Sequence, residues 1–214
     1  MNYLAERRQE EKERRRAEIL DAAENVAGSV GWDELTMDQV ARRARLSRAL
    51  LYVYFQDKVD LMYAICERGL NALRERCDEA VANNHTGLER AIAVSRAYLA
   101  FSQELPVYFD IMARCELREV TTVNPPPNEA ACQLAGNSLQ AMMVEVLAGG
   151  IQDGSIHADP ANPGLTAAVL WGFTHGAIQM ACARARLLEY QGVDRGALLE
   201  QAMMMLRRSL AAKP

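Results

Sequence analysis

Within residues 36–54, two short helical patterns stand only three residues apart, and that spacing constrains this chain more than any other feature. Thr36 has the position and chemistry of an N-cap, and Gln39, three residues on, completes a capping box. The helix it opens runs to Arg43, residues 44–46 make a tight turn, and Ser47 caps the next helix, which carries Leu50, Leu51, Tyr52 and Tyr54. Two short helices joined in this way are a helix-turn-helix pattern. Ahead of them, over residues 10–29, Ile19, Leu20, Ala23, Val26, Ala27 and Val30 recur at three- and four-residue steps and make one apolar stripe, which Gly31 ends. Behind them Asp57 caps a long helix with Leu61, Ile65, Leu70 and Leu73.

The pattern breaks at residues 83–87, and helices are expected again at 88–104, 106–118, 129–149, 163–188 and 194–211. Pro125, Pro126 and Pro127 make 121–128 a loop or stiff connector, and 149–163 is rich in turn residues. No stretch alternates apolar and polar residues between hairpin turns, so the expected fold class is all-α, with about nine helices. Hydrophobic residues are 50% of the 214 and charged residues 24%, which is enough apolar material for a real core. No apolar run reaches the roughly 18 residues that span a bilayer. Residues 1–16 are dense in charge and lack an apolar signal core, so the expected compartment is the cytoplasm.

The net charge of −4 does not advertise a polyanion binder. The positive charge is local: residues 36–58 hold Arg42, Arg43, Arg45, Arg48 and Lys58 against Asp38 and Asp57. The charged run at 7–16 interleaves Arg with Glu6, Glu10, Glu11 and Glu13, as a solvated helix start does. The five cysteines, Cys66, Cys77, Cys115, Cys132 and Cys182, form no C-x-x-C pair. They read as reduced and mostly buried thiols, with a redox switch as the sharper alternative; no metal site and no cofactor are expected.

A helix fits the DNA major groove, and small side chains near its start let the backbone approach base edges. Ser47, Arg48, Ala49 and Leu50 form such a leading edge. The segment from Ile19 to Ile65 also resembles the DNA-binding domain of the tetracycline-repressor (TetR) family. The matching elements are Ile19-Leu20-x-Ala22-Ala23, Gly31, Thr36-Met37-x-x-Val40-Ala41, Ala44-x-Leu46-Ser47 and Leu51-Tyr52-x-Tyr54-Phe55, followed by Lys58 and Leu61. The resemblance implies that Thr36, Tyr52, Tyr54 and Lys58 touch the DNA backbone, with Ser47, Arg48, Ala49 and Leu50 at the bases. Arg48 is the best candidate to hold a guanine, because its fork spans two acceptors. Val40, Ala41, Leu51 and Phe55 read as core. Two positions depart from the family pattern. Arg45 stands where the family often has Gly, so the turn is shaped differently or Arg45 adds a phosphate contact. Leu50 stands where a small or polar residue is common, and either meets a thymine methyl or only packs.

The resemblance divides the chain into residues 1–60, a helix-turn-helix DNA-binding domain, and residues 61–214, a ligand-binding and dimerisation domain. It implies a repressor that acts as a homodimer on double-stranded operator DNA and is released by a small, largely apolar ligand. The recognition helices would then sit about 34–36 Å apart when bound. The run from Leu165 to Ala185, with Val169, Trp171, Phe173, Ile178 and Met180, is apolar on most sides, as a helix buried by its own core and by a partner must be. Leu198, Leu199, Met203 and Leu206 give the last helix an apolar face that Met204 and Met205 widen. The turn Gly154-Ser155-Ile156 ahead of Asp159-Pro160 also fits. The aromatic and polar candidates for a ligand pocket are Tyr98, Phe101, Tyr108, Phe109, Trp171 and His175. Met112, Cys115, Gln140 and Met143 join them, and each of the ten is also a plausible core residue. Two other readings stand: a dimer that senses a ligand or partner without binding DNA, and a helical enzyme. Against the enzyme, His85, His157 and His175 form no metal pair, and no Gly-x-Ser-x-Gly or phosphate-cradling loop is present.

Overall fold

The computed structural model describes residues 3–157 and 162–212. Ten helices are found there: α1 (Tyr3–Val30), α2 (Met37–Arg43), α3 (Arg48–Tyr54), α4 (Lys58–Ala82), α5 (Gly87–Glu104), α6 (Pro106–Glu116), α7 (Pro127–Gln152), α8 (Pro163–Ala183), α9 (Ala185–Tyr190) and α10 (Arg195–Leu210). The described residues hold no strand, only an isolated antiparallel bridge between Ile156 and Ala211. None of the described helices is long and apolar enough to cross a membrane.

Three of the boundaries that differ from expectation have a local reason or consequence. The first helix starts at Tyr3 rather than near residue 10, and its polar turns carry their own pairs: Gln9 donates to Glu13 at 2.7 Å, and Glu11 pairs with Arg14. The seventh starts at Pro127, whose missing amide costs nothing in a first turn. The helix expected over 163–188 stops at Ala183, and Arg184 (φ −111°, ψ 22°) separates it from α9. That break supplies the tenth helix, and no Gly or Pro marks it in the sequence.

The chain forms two compact units. The first comprises Met1–Gly69 and Val107–Leu134. Its core gathers Ile19, Leu20 and Ala23 of α1, Val40 and Ala41 of α2, Leu51 of α3 with Phe55, and Leu61 and Ile65 of α4, all 3% exposed or less. Burying side chains of this size stabilises by about 1.5–3 kcal/mol each. Polar clamps reinforce it. Arg16 lies over the Phe55 ring at 5.7 Å and donates to Asn128 at 2.8 Å, while Asn128 donates to Asp60 at 2.8 Å. Gly69 lets α4 approach α6, since a Cβ there would stand 3.0 Å from the Tyr108 Cβ.

The second unit comprises Leu70–Pro106 and Ala135–Pro214. Helices α5, α8 and α10 pack together in it around Tyr98, Phe101, Leu170, Ile178, Met203 and Leu206. Helices α5 and α7 meet backbone to backbone: a Cβ on Gly87 would lie 2.2 Å from the Gly150 Cα. The turn after α7 explains itself chemically. Asp153 and Ser155 accept the Gly87 and Leu88 amides at 2.8 and 3.0 Å, so this turn caps α5, and Gly154 (φ 75°) lets it reverse. Asp159 and Pro160 lie outside the described residues.

Candidate functional site

The helix-turn-helix belongs entirely to the first unit. Its local geometry follows from the caps. The Thr36 hydroxyl accepts from the Gln39 amide at 3.3 Å, and the Gln39 side-chain oxygen takes the Thr36 amide at 2.7 Å. Ser47 takes the Leu50 amide at 3.2 Å, and the Asp57 carboxylate takes the Val59 and Asp60 amides at 2.7 and 2.8 Å. The turn between α2 and α3 closes through the Leu46 amide on the Ala41 carbonyl at 2.9 Å. Arg45 sits there at φ 57°, the left-handed region that favours glycine. The turn thus keeps the backbone shape that glycine would give, and a cation stands on it.

Burial separates core from surface along the motif. Val40, Ala41, Leu51 and Phe55 are buried, as expected of core. Thr36, Arg45, Ser47, Arg48, Ala49, Leu50 and Tyr52 are exposed, and Tyr54 and Lys58 are half-buried. Leu50 and Tyr52 are each 39% exposed.

The structure adds two restraints on the cations. Asp38, in the first turn of α2, holds the Arg48 guanidinium with contacts of 3.1 and 3.3 Å. That guanidinium also lies 5.6 Å above the Tyr52 ring. Tyr52 first and Asp38 second raise the pKa of Arg48. Sequence reasoning missed Asp38. The available signal was its place in the first turn of α2, beside the start of α3. Lys58 is the second restraint: its ammonium donates to the Asp33 carbonyl at 3.0 Å and lies 5.2 Å from the Trp32 ring. Partial burial lowers its pKa. Both cations therefore have partners within their own unit.

The ten residues considered for a ligand pocket divide between the two units. Tyr98, Phe101, Gln140, Met143, Trp171 and His175 belong to the second; Tyr108, Phe109, Met112 and Cys115 belong to the first. In the second, Tyr98 stacks on Trp171 with ring centroids 4.8 Å apart, and its hydroxyl meets His175 Nδ1 at 2.7 Å. Phe101 lies 6.4 Å from Tyr98, and Gln140 donates to the Gly164 carbonyl at 3.2 Å. His175 is thus a hydrogen-bonded core histidine in this structure, and Met143 is half-buried. In the first, Phe109 and Met112 are buried core. Burial and the Glu24 carboxylate push the Tyr108 hydroxyl up to about 12. A separate recess of about 240 Å³ in the second unit is lined by Leu147, Ile151, Val169, Leu170 and Leu210, among others. None of the ten lines it.

The cysteines are free thiols; Cys66, Cys77 and Cys132 are buried, Cys115 half-buried and Cys182 exposed. Three of them, Cys66 of α4, Cys115 of α6 and Cys132 of α7, bring their sulfurs together within 4.8 Å. Hydrogen bonds from the Cys115 and Cys66 thiols hold the Cys132 sulfur toward the thiolate. Sequence spacing gave no sign of this cluster.

The family model described as "Bacterial regulatory proteins, tetR family" matches residues 19–65, the segment built around α2 and α3. Over 90 residues the chain is 29% identical to the HTH-type transcriptional activator FasR of Mycolicibacterium smegmatis, covering 42% of this chain and 41% of that protein. The chain spans about two fifths to one half of the length of the first curated relatives it matches. Among solved structures, a protein of unknown function from Rhodococcus sp. RHA1 is similar with a TM-score of 0.71 at 23% identity, over 92% of this chain and 95% of that one. FadR from Bacillus subtilis in complex with stearoyl-CoA is similar with a TM-score of 0.68 at 19% identity, over 90% and 98%. At these identities the two structures speak for a shared fold.

Proposed function

Since the chain belongs to the tetR family of bacterial regulatory proteins, we propose that it is a DNA-binding transcriptional regulator, a repressor that a small-molecule ligand releases from its operator. The observation that carries this reading is the sidedness of α3. Leu51 is fully buried, while Arg48, Ala49, Leu50 and Tyr52 face outward on the same two turns. A helix presenting one arginine, one methyl-sized side chain and one leucine at its start suits base edges in a major groove. Thr36, Tyr52, Tyr54 and Lys58 are assigned to the sugar-phosphate backbone, with Arg45 as an added phosphate contact, and Ser47 belongs to the leading edge at the bases.

The working unit is a homodimer. Leu165, Val169, Phe173 and Met180 lie along one face of α8 and are 37–62% exposed, and Met204 and Met205 of α10 are exposed as well. Apolar residues repeated along a helix face and left in water mark a partner surface, and a second copy of α8 and α10 is the partner proposed. Ligand binding then shifts the population between two dimer shapes, one with the reading helices one DNA turn apart. The protein works in the cytoplasm and leaves its ligand unchanged. The ligand class is small and largely apolar. Acyl-CoA thioesters are the first compounds to try, because the Bacillus subtilis protein of like fold carries stearoyl-CoA.

The test is fluorescence anisotropy on the DNA upstream of the protein's own gene, at low salt. Tight binding is expected. Arg48→Ala should cost about 1–3 kcal/mol and relax sequence preference, while Lys58→Ala should weaken all sequences alike and lower the salt slope by about one. Absence of binding, or binding indifferent to both substitutions, would refute the assignment.

A further inference from the structure

Cys66, Cys115 and Cys132 come from three different helices of the first unit, and their sulfurs lie within 4.8 Å of one another. Sulfurs bonded to one ion at about 2.3 Å, the length of a zinc–thiolate bond, must lie within about 4.6 Å of each other. The three sulfurs therefore already stand close to the separations that a shared ion requires. Among the described residues, no histidine, aspartate or glutamate joins the group as a fourth ligand. A structural zinc site closes with four protein ligands, so this site suits an ion that is complete with three sulfurs.

Charge narrows the choice further. Cys66 is 2% and Cys132 7% exposed, so whatever forms here is largely removed from water. The nearby charges are Arg118 beside Cys115 and Glu129 beside Cys132, one of each sign. Glu129 is itself buried and already bonded to the Thr121 amide at 2.8 Å and to the Thr121 hydroxyl at 3.1 Å. The charges of Arg118 and Glu129 offset each other, so the surroundings favour a complex that carries no net charge. Three thiolates around Cu(I) would carry two negative charges and around Zn(II) one, each costly in a buried site. Around a trivalent ion the complex is neutral.

The geometry points to a three-cysteine site for a trivalent, thiophilic metalloid of the arsenite class, built from Cys66, Cys115 and Cys132. Uptake is a ligand exchange: As(OH)3 and three thiols give As(SR)3 and three waters. Three As–O bonds break, three As–S bonds form, and each departing hydroxide leaves with one thiol proton. Arsenic stays trivalent, so no oxidant or reductant takes part. Cys115, half-buried, is the entry point. Once formed, the complex ties α4, α6 and α7 of the first unit to one another. None of this depends on the chain binding DNA.

The experiment uses the reduced full chain with arsenite, and Cu(I) and Zn(II) in parallel, followed by gel filtration, metal analysis and iodoacetamide footprinting by mass spectrometry. One arsenic per chain is expected, with Cys66, Cys115 and Cys132 protected and Cys77 and Cys182 labelled as in the free protein. X-ray absorption should count three sulfurs on arsenic. Cys115→Ser and Cys132→Ser should each lower retained arsenic at least ten-fold, and Cys182→Ser should change nothing. Cys115 is the decisive position, because a half-buried Cys-to-Ser change spares the fold better than one at Cys66. Four results would overturn the site: no retained arsenic, retention by Cys115→Ser equal to the parent, retention lost in Cys182→Ser, or zinc or copper held where arsenite is not.

Discussion

Replacing Arg45 by glycine is expected to move stability and DNA affinity in opposite directions. The residue holds φ 57° in the turn between α2 and α3. An L-residue in that region carries roughly 1–2 kcal/mol of steric cost from its Cβ. Glycine removes the cost but frees the unfolded chain, which takes back about 0.5–1 kcal/mol. Arg45 is exposed and its amide bond to the Arg42 carbonyl, at 3.2 Å, survives the change, so little packing is lost. The net gain is about 0–1.5 kcal/mol, or up to roughly 6 °C in Tm for a chain of this size. On DNA the same substitution deletes one cation, so the slope of log affinity against log salt should become shallower by about 0.9. Calorimetry and an anisotropy series across salt concentrations read the two effects separately. A lower Tm would show that the side chain contributes more than its backbone conformation costs. An unchanged salt slope would remove Arg45 from the phosphate contacts.

Three further outcomes follow from the same structure. Gly87→Ala would place a methyl 2.2 Å from the Gly150 Cα and 2.3 Å from its nitrogen, which only backbone movement relieves; overpacking of this kind costs about 1–3 kcal/mol, seen as a lower urea midpoint. Asp38→Asn removes the carboxylate that pairs with Arg48; stability should change by less than about 1 kcal/mol, since the pair is exposed, while affinity for a scrambled duplex rises. The Arg114 guanidinium donates to both Asp33 oxygens, at 2.7 and 2.9 Å, and holds that carboxyl below its ordinary value of 3.8. A depressed carboxylate adds stability that is present above the unfolded value and lost as pH falls through the folded one. The stability difference between the parent and Arg114→Gln, read by urea unfolding, should therefore be largest near neutrality and shrink below pH 3.8.

The elements around the reading head were legible because their determinants are local. Thr36 with Gln39, Ser47 with Leu50 and Asp57 with Asp60 each settle a helix start within three residues, and the structure has all three bonds. Boundaries set by charge ladders or by packing were less visible: α1 begins earlier than its apolar stripe, and Arg184 interrupts an otherwise continuous apolar run. Residue type also proved a poor guide to grouping, since Tyr98 and Tyr108 look alike in sequence yet belong to different units.

The cysteines show the physical limit most directly. Helical periodicity tells which face of α4 carries Cys66 and which face of α7 carries Cys132, but both faces are simply apolar, and a small thiol there reads as filler. What makes the sulfurs meet is axial register, the sliding of one helix along another. In the first unit that register is fixed by unlike contacts, such as Asn128 on Asp60 at 2.8 Å and Gly69 against Tyr108. Asn128 is about one turn from Cys132, and Asp60 lies about 1.7 turns before Cys66 on α4. The Asn128–Asp60 bond is thus one of the contacts that tie α7 to α4 near the cysteines. Asn128→Ala should loosen the thiol cluster while leaving all three cysteines in place, which makes arsenite retention in that variant a measure of register rather than of ligand number.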